Sequence, residues 1–296
     1  MKFDVVIGNP PYQNGVAAEG RKTATKPLWI DFSELAHGLV APRGVIAFIT
    51  PSTWLSMGTA SHKAFATFPI YEGVVYAHST PFKGVATTVS YWLSQENHAG
   101  CVISDEVGNS VTIDRRAGFF PCKTKDLIVC LSIFDKTLHA TTLKVDAVTT
   151  MKYHNEKKHL FSETRTSSFK YPVFHTNTVT KWTTEYDTQL MGVPKVVASK
   201  TGSFSQCVVD VDGSVTNLGV AFIASTLECA KVLHAVLKSK LYRFLVESMR
   251  HSSTIPTPVY KALPAVDLTR NWTDDELYAH FNLTQEEIDL IESTVK

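Results

Sequence analysis

The chain has 296 residues, of which 44% are hydrophobic and 19% charged, as in an ordinary globular protein. No stretch has the roughly 18 apolar residues of a spanning helix, and five widely spaced cysteines form no C-x-x-C pair, so we expect a cytoplasmic protein without a metal site. The net charge of +1 hides a segregation: residues 121–265 carry 18 Lys and Arg against 11 Asp and Glu, and residues 266–296 carry 2 against 8. This basic middle segment favours a polyanionic partner, although charges spread over solvated faces would give the same count.

The first 120 residues alternate between strand and helix patterns. FDVVIGN is an apolar, β-branched run that ends at a turn, which predicts a buried strand. Residues 27–40 predict a helix, 41–44 a turn, 45–50 a second buried strand and 52–68 a helix capped by Ser52 or Ser56. The expected buried stripe of the first helix consists of Leu28, Phe32, Leu35 and Leu39.

Residues 74–79 and 87–94 predict two more strands, of which the second alternates as hairpin strands do. The expected first domain, residues 1–120, is therefore α/β with a partly parallel sheet and an antiparallel edge. Residues 121–265 change to short strands broken by glycine, followed by one long helix over 225–247 capped by Ser225 or Thr226. The predicted tail, residues 266–296, contains two acidic helices with capping boxes at Thr273 and Thr284.

A rigid polar turn, Asn9-Pro10-Pro11-Tyr12, follows the first predicted strand. Two prolines give any loop an extended, stiff backbone, but this loop lies where α/β sheets build their active sites. The side-chain carbonyl of Asn9 and the backbone carbonyl of Pro10 suit the two N–H groups of a planar amine, whose nitrogen becomes a better nucleophile when both are held. The Tyr12 ring can stack on a base extruded from a duplex.

The stretch DVVIGNPPYQ, together with PLWIDFSELAHGLVAPRGVIAFITPSTWLS, resembles amino-directed DNA methyltransferases. It is similar to the gamma-class adenine-N6 enzymes of type II and type IIG restriction–modification systems, of the Eco57I and TaqI kind. The resemblance implies that Asn9 and Pro10 bind the amino group, with Pro11 as part of the same motif. It also implies that Tyr12 and Phe82, the latter in HSTPFKGVATTVSYWL, hold the two faces of a flipped adenine; Phe82 as a simple core aromatic is the alternative.

The resemblance implies a fold and a cofactor. The expected fold class is α/β, a partial Rossmann-like methyltransferase sheet followed by a mixed α+β target-recognition domain (residues 121–265) and a short helical tail. The expected methyl donor is S-adenosylmethionine, with Asn9 as a partial contact. In this family the donor binds mainly to F-x-G-x-G and to acidic strand ends that precede the Asn-Pro-Pro-Tyr motif, and no such glycine pair occurs in the 296 residues.

The early position of the motif leads to an expectation about strand FDVVIG. The first strands of the methyltransferase sheet are expected to be absent, which would leave this apolar strand at an edge that proteins normally cover. A second chain could supply the missing half, the chain could be a truncated remnant, or another kind of partner could cover the edge. These alternatives remain open from the sequence.

Double-stranded DNA is the expected substrate, because the basic segment follows the motif. Candidate phosphate contacts are Lys195, Lys200, Lys231, Lys238, Lys240, Arg243 and Arg250. The KTGSFS stretch, with Ser203, is the candidate recognition loop. The predicted function is adenine-N6 methylation in a phage or bacterial restriction–modification setting. The alternatives are a non-catalytic DNA-binding specificity subunit and, since Asn-Pro-Pro-Tyr also occurs there, a protein-glutamine or RNA methyltransferase.

Overall fold

The structure is a computed structural model that describes residues 1–12, 27–76, 82, 88–96, 100–114, 119–121, 124–138, 140–143, 145–146, 155–176, 179–202, 204–252 and 254–295. The chain forms two compact units. The first comprises Met1–Leu131 and Ser248–Ser252, and the second comprises Ser132–Glu247 and Ser253–Lys296. Among the described residues, no helix has both the length and the apolar character needed to cross a membrane.

A six-stranded sheet forms the centre of the first unit. Its strands are β1 (Phe3–Gly8), β2 (Val40–Pro51), β3 (Ile70–Tyr76), β4 (Val89–Ser94), β5 (Cys101–Asp105) and β6 (Ser110–Ile113). Its helices are α1 (Leu28–Leu39), a 3₁₀ turn (Ser52–Leu55) and α2 (Ala60–Phe65), while α3 (Leu127–Leu138) begins in this unit and ends in the second.

The strand order is β1-β2-β4-β3-β5-β6. The pairs β1–β2 and β3–β5 are parallel, whereas β4 is antiparallel to both of its neighbours and β6 is antiparallel to β5. The sheet is thus partly parallel, as predicted. The predicted antiparallel edge is β6, while β4, whose sequence alternates as hairpin strands do, lies inside the sheet.

A bulge replaces the turn that was predicted over residues 41–44. Arg43 has a φ of 68°, and the pairing of β2 with β1 shifts register between Phe3 and Val5. A Cβ at Gly44 would come within 2.8 Å of the Asp4 carbonyl oxygen, so only glycine lets the two backbones approach here. The predicted turn and second strand are therefore one long strand with a local irregularity.

Helix α1 buries a different face from the predicted one. Trp29, Ile30, Ser33 and Ala36 are buried, whereas the expected core residues Phe32 and Leu35 are 42% and 56% exposed. The reason lies in the neighbouring aromatic cluster. The Trp29 ring packs 5.1 Å from that of Phe65, and the buried Ser33 hydroxyl is satisfied by donating to the Trp29 carbonyl at 2.7 Å.

The helix predicted over 52–68 is divided in two. After the 3₁₀ turn at Ser52–Leu55, α2 begins at Ala60, and its N-cap is Thr59, whose hydroxyl accepts a hydrogen bond from the His62 backbone N–H. Ser52 and Ser56, the predicted caps, are both buried. The only glycine of this region, Gly58, has a φ of 81° and separates the two segments.

The second unit contains two small sheets and most of the helices. The strands are β7 (Val145–Asp146), β8 (Phe161–Ser162), β9 (Tyr171–Thr176), β10 (Val179–Thr183), β11 (Lys195–Ser199), β12 (Val208–Asp210), β13 (Ser214–Val215) and β14 (Gly219–Ile223). They form the sheets β13-β9-β10-β8 and β12-β11-β14-β7. The helices are α4 (Leu227–Lys238), α5 (Lys240–Ser248), α6 (Thr257–Ala262), α7 (Asp274–His280) and α8 (Gln285–Thr294), with short 3₁₀ helices at Asn155–Leu160 and Phe204–Gln206.

The single helix predicted over 225–247 is two helices, α4 and α5. Thr226 caps α4, as one of the two predicted candidates, by accepting from the Cys229 N–H. Ser239 then adopts a ψ of 157°, which ends α4. The first N–H of α5, on Lys240, donates to the Asp274 carboxylate at 2.8 Å. A side chain of the acidic tail therefore caps the second helix, a contact that helical periodicity cannot predict.

The two predicted capping boxes are confirmed, at Thr273 with Glu276 and at Thr284 with Glu287. Glu287 also anchors the tail, because its carboxylate accepts from Lys136 Nζ and Ser132 Oγ, both at 2.7 Å, although the side chain is only 3% exposed. Burial by itself raises the pKa of Glu287, but the hydrogen bonds from Lys136, Ser132 and the Thr284 backbone outweigh it and the pKa lies below its ordinary value.

Replacing Glu287 with glutamine is expected to lower the free energy of unfolding by about 2 kcal/mol at neutral pH, because the half-buried Lys136 ammonium loses its buried counter-ion. A carboxyl whose folded-state pKa is lowered stabilises the protein above its unfolded-state pKa, and that stability is lost as the pH falls through the folded-state value. The variant should therefore lose less stability than the natural chain between about pH 5 and pH 3. Urea unfolding across that range measures both effects, with Glu286→Gln, at the exposed neighbouring carboxylate, as the control. Equal pH profiles for Glu287→Gln and Glu286→Gln would contradict the anchoring role.

Candidate functional site

The Asn9–Tyr12 segment leaves the sheet directly after β1. Because β1 and β2 are parallel, with Gly8 opposite Phe48, the segments that follow both strands emerge at one edge of the sheet. The carboxyl ends of parallel strands are where α/β proteins place their ligand sites. This edge is therefore the candidate functional site of the first unit.

Two exposed residues and one buried residue make up the start of the segment. Pro10 is buried, while Asn9 and Pro11 are exposed. The Asn9 side-chain amide forms no hydrogen bond with another described residue, so its acceptor and donors remain available to a ligand. Pro10 has no N–H and a restricted φ, which holds the local backbone in one conformation.

Tyr12 is half-buried, and its ring packs against the aromatic and aliphatic core of the first unit. Its hydroxyl oxygen is buried and finds no hydrogen-bond partner within the described part of the chain. Burial raises the pKa of the Tyr12 phenol, so the group is neutral at physiological pH. An unpartnered buried hydroxyl is uncommon in folded proteins and often marks a place that a ligand completes.

Phe82 lies in the connection between β3 and β4 and is half-buried. The pairs Tyr76–Val89 and Val89–Pro51 place the end of β3 and the start of β4 beside the end of β2. The topology therefore brings this connection to the same edge as Asn9–Tyr12, two strands along the sheet. The stretch around Phe82, residues 77–81 and 83–87, lies outside the described residues.

A buried histidine, which no sequence pattern predicts, also lies at this edge. His251 is 1% exposed; its Nε2–H donates to the Phe120 carbonyl at 2.8 Å, and its Nδ1 lies 3.5 Å from the Ser52 hydroxyl. Ser52, the first residue after β2, in turn donates to the Thr88 carbonyl ahead of β4. His251 thus ties a segment 120 or more residues away onto the ends of β2 and β4. Its local sequence, a Pro- and Ser-rich connection, carries no signal of this.

Lys195, a predicted phosphate contact, has a different role. Its side chain is 0% exposed and forms an ion pair with Asp210 at 2.7 Å. The ammonium also donates to the backbone carbonyls of Leu190, Val193 and Val211 at 2.9 to 3.3 Å. With all its hydrogen atoms used inside the protein, Lys195 is a structural cation of the second unit and is not exposed for the phosphate contact predicted from the sequence.

The other predicted phosphate contacts lie at varied depths. Lys200 is half-buried, its Nζ donates to the Asn217 carbonyl at 3.3 Å, and burial lowers its pKa. Lys240 forms an ion pair with Glu292, Lys231 forms one with Glu228 at 2.8 Å, and Arg243 is half-buried on α5. Ser203 lies outside the described residues. These predicted contacts thus differ in their exposure and in their bonding partners.

No group of three potential metal ligands occurs among the described histidine, cysteine and acidic residues. Cys130 is buried, and burial raises the pKa of its thiol to about 12. Such a thiol is protonated and unreactive at neutral pH.

Comparison with known protein families gives a match for the first part of the chain. Residues 1–70 match the family model described as Eco57I restriction-modification methylase. That stretch contains β1, the Asn9–Tyr12 segment, α1 and β2. No curated protein sequence matches the chain.

Several solved structures resemble the chain. The Type IIL restriction-modification enzyme MmeI in complex with DNA has a TM-score of 0.46 and 10% identity, over 98% of this chain and 53% of that one. The type IIG restriction endonuclease BpuSI has a TM-score of 0.37 and 10% identity, over 98% and 48%. The type I restriction-modification methyltransferase subunit from Streptococcus thermophilus has a TM-score of 0.26 and 20% identity, over 35% and 26%. The chain spans about half or less of the length of these solved chains.

Proposed function

We propose that this chain binds the target base in a gamma-class DNA methyltransferase that transfers a methyl group to N6 of adenine. The observation that carries the proposal is the match of residues 1–70 to the Eco57I restriction-modification methylase family, since it includes Asn9–Tyr12 at the carboxyl end of β1. The basic composition of residues 121–265 supports duplex DNA as the substrate.

The chemistry of the site follows from the acceptors that it offers. The lone pair of an adenine amino group is delocalised into the ring, so the nitrogen is a weak nucleophile. Oδ1 of Asn9 and the carbonyl oxygen of Pro10 accept hydrogen bonds from its two N–H groups. This favours a tetrahedral nitrogen with an available lone pair. Because Pro10 and Pro11 stiffen the backbone, little reorganisation is needed as the reaction proceeds. Tyr12 and Phe82 hold the ring of the flipped base.

The methyl donor of this family is S-adenosylmethionine, and the residues of this chain do not fit a complete site for it. No G-x-G sequence occurs in the 296 residues, and the turn after β1 has two prolines in place of the backbone N–H groups that a glycine-rich turn would present. Asn9 is the one proposed contact. We therefore propose that this chain binds the adenine that accepts the methyl group, and we assign to it no step that depends on the methyl donor.

The free edge of β1 is the proposed place for the donor-binding part. Phe3, Val5 and Ile7 share one face of this edge strand and are 43%, 61% and 79% exposed. Only β2 pairs with β1 in the described sheet. An exposed apolar edge strand favours pairing with a further strand, and we propose that a second chain carrying the first half of the methyltransferase sheet provides it.

Nucleoside analysis of DNA tests the function. The full chain is produced in a methylation-deficient bacterium, alone and together with the product of the adjacent reading frame, and hydrolysed DNA is examined by mass spectrometry. We expect N6-methyladenine in the co-expressing cells. N4-methylcytosine would contradict the adenine assignment.

A non-catalytic DNA-binding specificity subunit is the second candidate, and the absence of a G-x-G sequence from the 296 residues favours it. The same assay separates the two functions. The second candidate is established if the purified chain binds duplex DNA and no methylated base is found in cells that produce the chain alone or with the adjacent reading frame. Methylation of RNA or of a glutamine side chain, without methylation of DNA, would contradict both.

A further inference from the structure

A polar loop of the second unit, residues 163–170, crosses one face of a small sheet. It connects β8 to β9, and both of these strands are antiparallel to β10, which lies between them. The loop must therefore pass over β10. All of its residues are exposed except Phe169, which is half-buried. This β8–β9 loop thus presents a run of Thr, Ser, Arg and Lys side chains to solvent.

Hydrogen bonds inside the β8–β9 loop hold its shape. The Ser162 hydroxyl donates to the Thr164 carbonyl at 2.7 Å and accepts from the Thr164 N–H at 3.2 Å. Further along, the Phe169 N–H donates to the Thr166 hydroxyl at 3.0 Å, and the Thr166 N–H donates to the Phe169 carbonyl at 3.1 Å. A loop closed twice in this way loses little conformational freedom when it binds a partner.

Two cations flank the tip of the loop, and each lies over an aromatic ring. The Arg165 guanidinium carbon is 5.4 Å from the centroid of the Trp182 ring on β10. The Lys170 ammonium is 5.1 Å from the centroid of the Tyr171 ring at the start of β9. Aromatic faces position a cation without cancelling its charge.

These two charges lack a carboxylate partner among the described residues. Glu163, the acidic residue of the loop, is bonded to the buried Lys181, and that hydrogen bond and charge lower the pKa of Glu163. Elsewhere in the unit, Lys195 and Lys240 are in ion pairs. The β8–β9 loop therefore carries a net positive, preformed surface, with the Ser167 and Ser168 hydroxyls between its two cations.

We propose that the β8–β9 loop is a DNA contact, with Arg165 and Lys170 bound to phosphates on either side of a groove and Ser167 and Ser168 directed to the base edges between them. The inference rests on the proposed function and adds the surface that meets the substrate. A guanidinium binds phosphate through two parallel N–H hydrogen bonds, whereas an ammonium binds it as a point charge. Serine hydroxyls both donate and accept, so they can form hydrogen bonds with donor or acceptor groups on base edges.

The salt dependence of DNA binding tests this inference. The full chain is titrated into a fluorescent mixed-sequence duplex at several salt concentrations, and anisotropy gives Kd. Each phosphate contact contributes a slope of about 0.9 to log Kd against log salt, so Arg165→Gln with Lys170→Gln should reduce the slope by about 2 and weaken binding at least about tenfold at physiological salt. Lys261→Gln, at an exposed lysine on α6 that is not among the candidate phosphate contacts, is the matched control and should change neither value.

The outcomes separate this inference from the proposed function. If the natural chain does not bind the duplex, the proposed function itself fails. If it binds, and the double variant keeps the same Kd and slope, the loop is not a DNA contact although the proposed function stands. Arg165→Lys with Lys170→Arg should keep the slope, since both charges remain. If the double variant melts at a lower temperature, Lys170→Gln alone is tested, because it leaves the Arg165–Trp182 contact intact. A reduction of the slope by half of that expected for the double variant supports the inference, and an unchanged slope overturns it. If the loop binds an acidic protein instead of DNA, the double variant will bind DNA as the natural chain does.

Discussion

Replacing Asn9 with alanine is expected to lower methyl transfer to adenine by about 100- to 1000-fold, the usual cost of removing one positioned hydrogen-bond group from a reacting centre. The side chain is exposed and forms no hydrogen bond with another described residue, so the change should leave folding unaffected. DNA affinity should also change little, because phosphate contacts by cations provide most of it. Single-turnover transfer and duplex affinity, measured on the same preparation that forms N6-methyladenine, check both expectations.

Two further variants make this test specific. Asn9→Asp keeps an acceptor oxygen and should retain transfer within about tenfold. Asn271→Ala removes the same side chain from an exposed position ahead of α7 and should transfer at the natural rate. Natural turnover by Asn9→Ala would overturn the assigned role of the Asn9–Tyr12 segment.

Replacing Lys195 with methionine is expected to lower the free energy of unfolding by about 3 kcal/mol, because it breaks a buried ion pair and leaves buried carbonyls without donors. Methionine is close to lysine in length, so the loss reports the charge and its hydrogen bonds more than a cavity. The ammonium is bonded to three backbone carbonyls and to Asp210, which joins β11, β12 and the turn before them. Urea unfolding of the full chain measures the loss.

Lys238→Met is the matched control, since it makes the same replacement at an exposed lysine on α4 and should leave the free energy of unfolding within about 0.5 kcal/mol. Folded Lys195→Met should bind duplex DNA with the natural affinity and salt slope. Natural stability combined with weaker DNA binding would instead make Lys195 a phosphate contact after all.

The position of the Asn9–Tyr12 segment directly after β1 was predictable because its signal is local. The apolar strand is followed directly by two prolines between an amide and a phenol. Because proline restricts the backbone and donates no N–H, such a segment is expected where a strand ends. The capping boxes of the tail were predictable for the same reason, since each depends on two residues three positions apart. The parallel pairing of β1 with β2 followed from two apolar, β-branched strands separated by a helix, although β1 is largely exposed and not buried as its pattern predicted.

The roles of the charged residues depended on distant parts of the chain. Lys195 and Arg165 are equally basic in sequence, yet Lys195 is enclosed by three backbone carbonyls and the Asp210 carboxylate, and Arg165 lies on a half-buried tryptophan ring. The Asp210 carboxylate and the Val211 carbonyl reach Lys195 from a later part of the chain, and composition cannot report such contacts. The sequence predicted a cationic segment correctly and could not say which cations are free.

Sequence by itself determined the Asn-Pro-Pro-Tyr turn, the partly parallel sheet and the capped acidic tail, because short-range periodicity, proline geometry and capping act within a few residues. Tertiary structure alone decided which face of α1 is buried, where α4 ends and α5 begins, and that His251 joins the ends of β2 and β4. It also decided that Lys195 has a carboxylate partner, whereas Arg165 and Lys170 have none among the residues that the structure describes. Each of these outcomes depends on which distant side chains fill the available space and satisfy buried polar groups, and that is settled only when the chain packs.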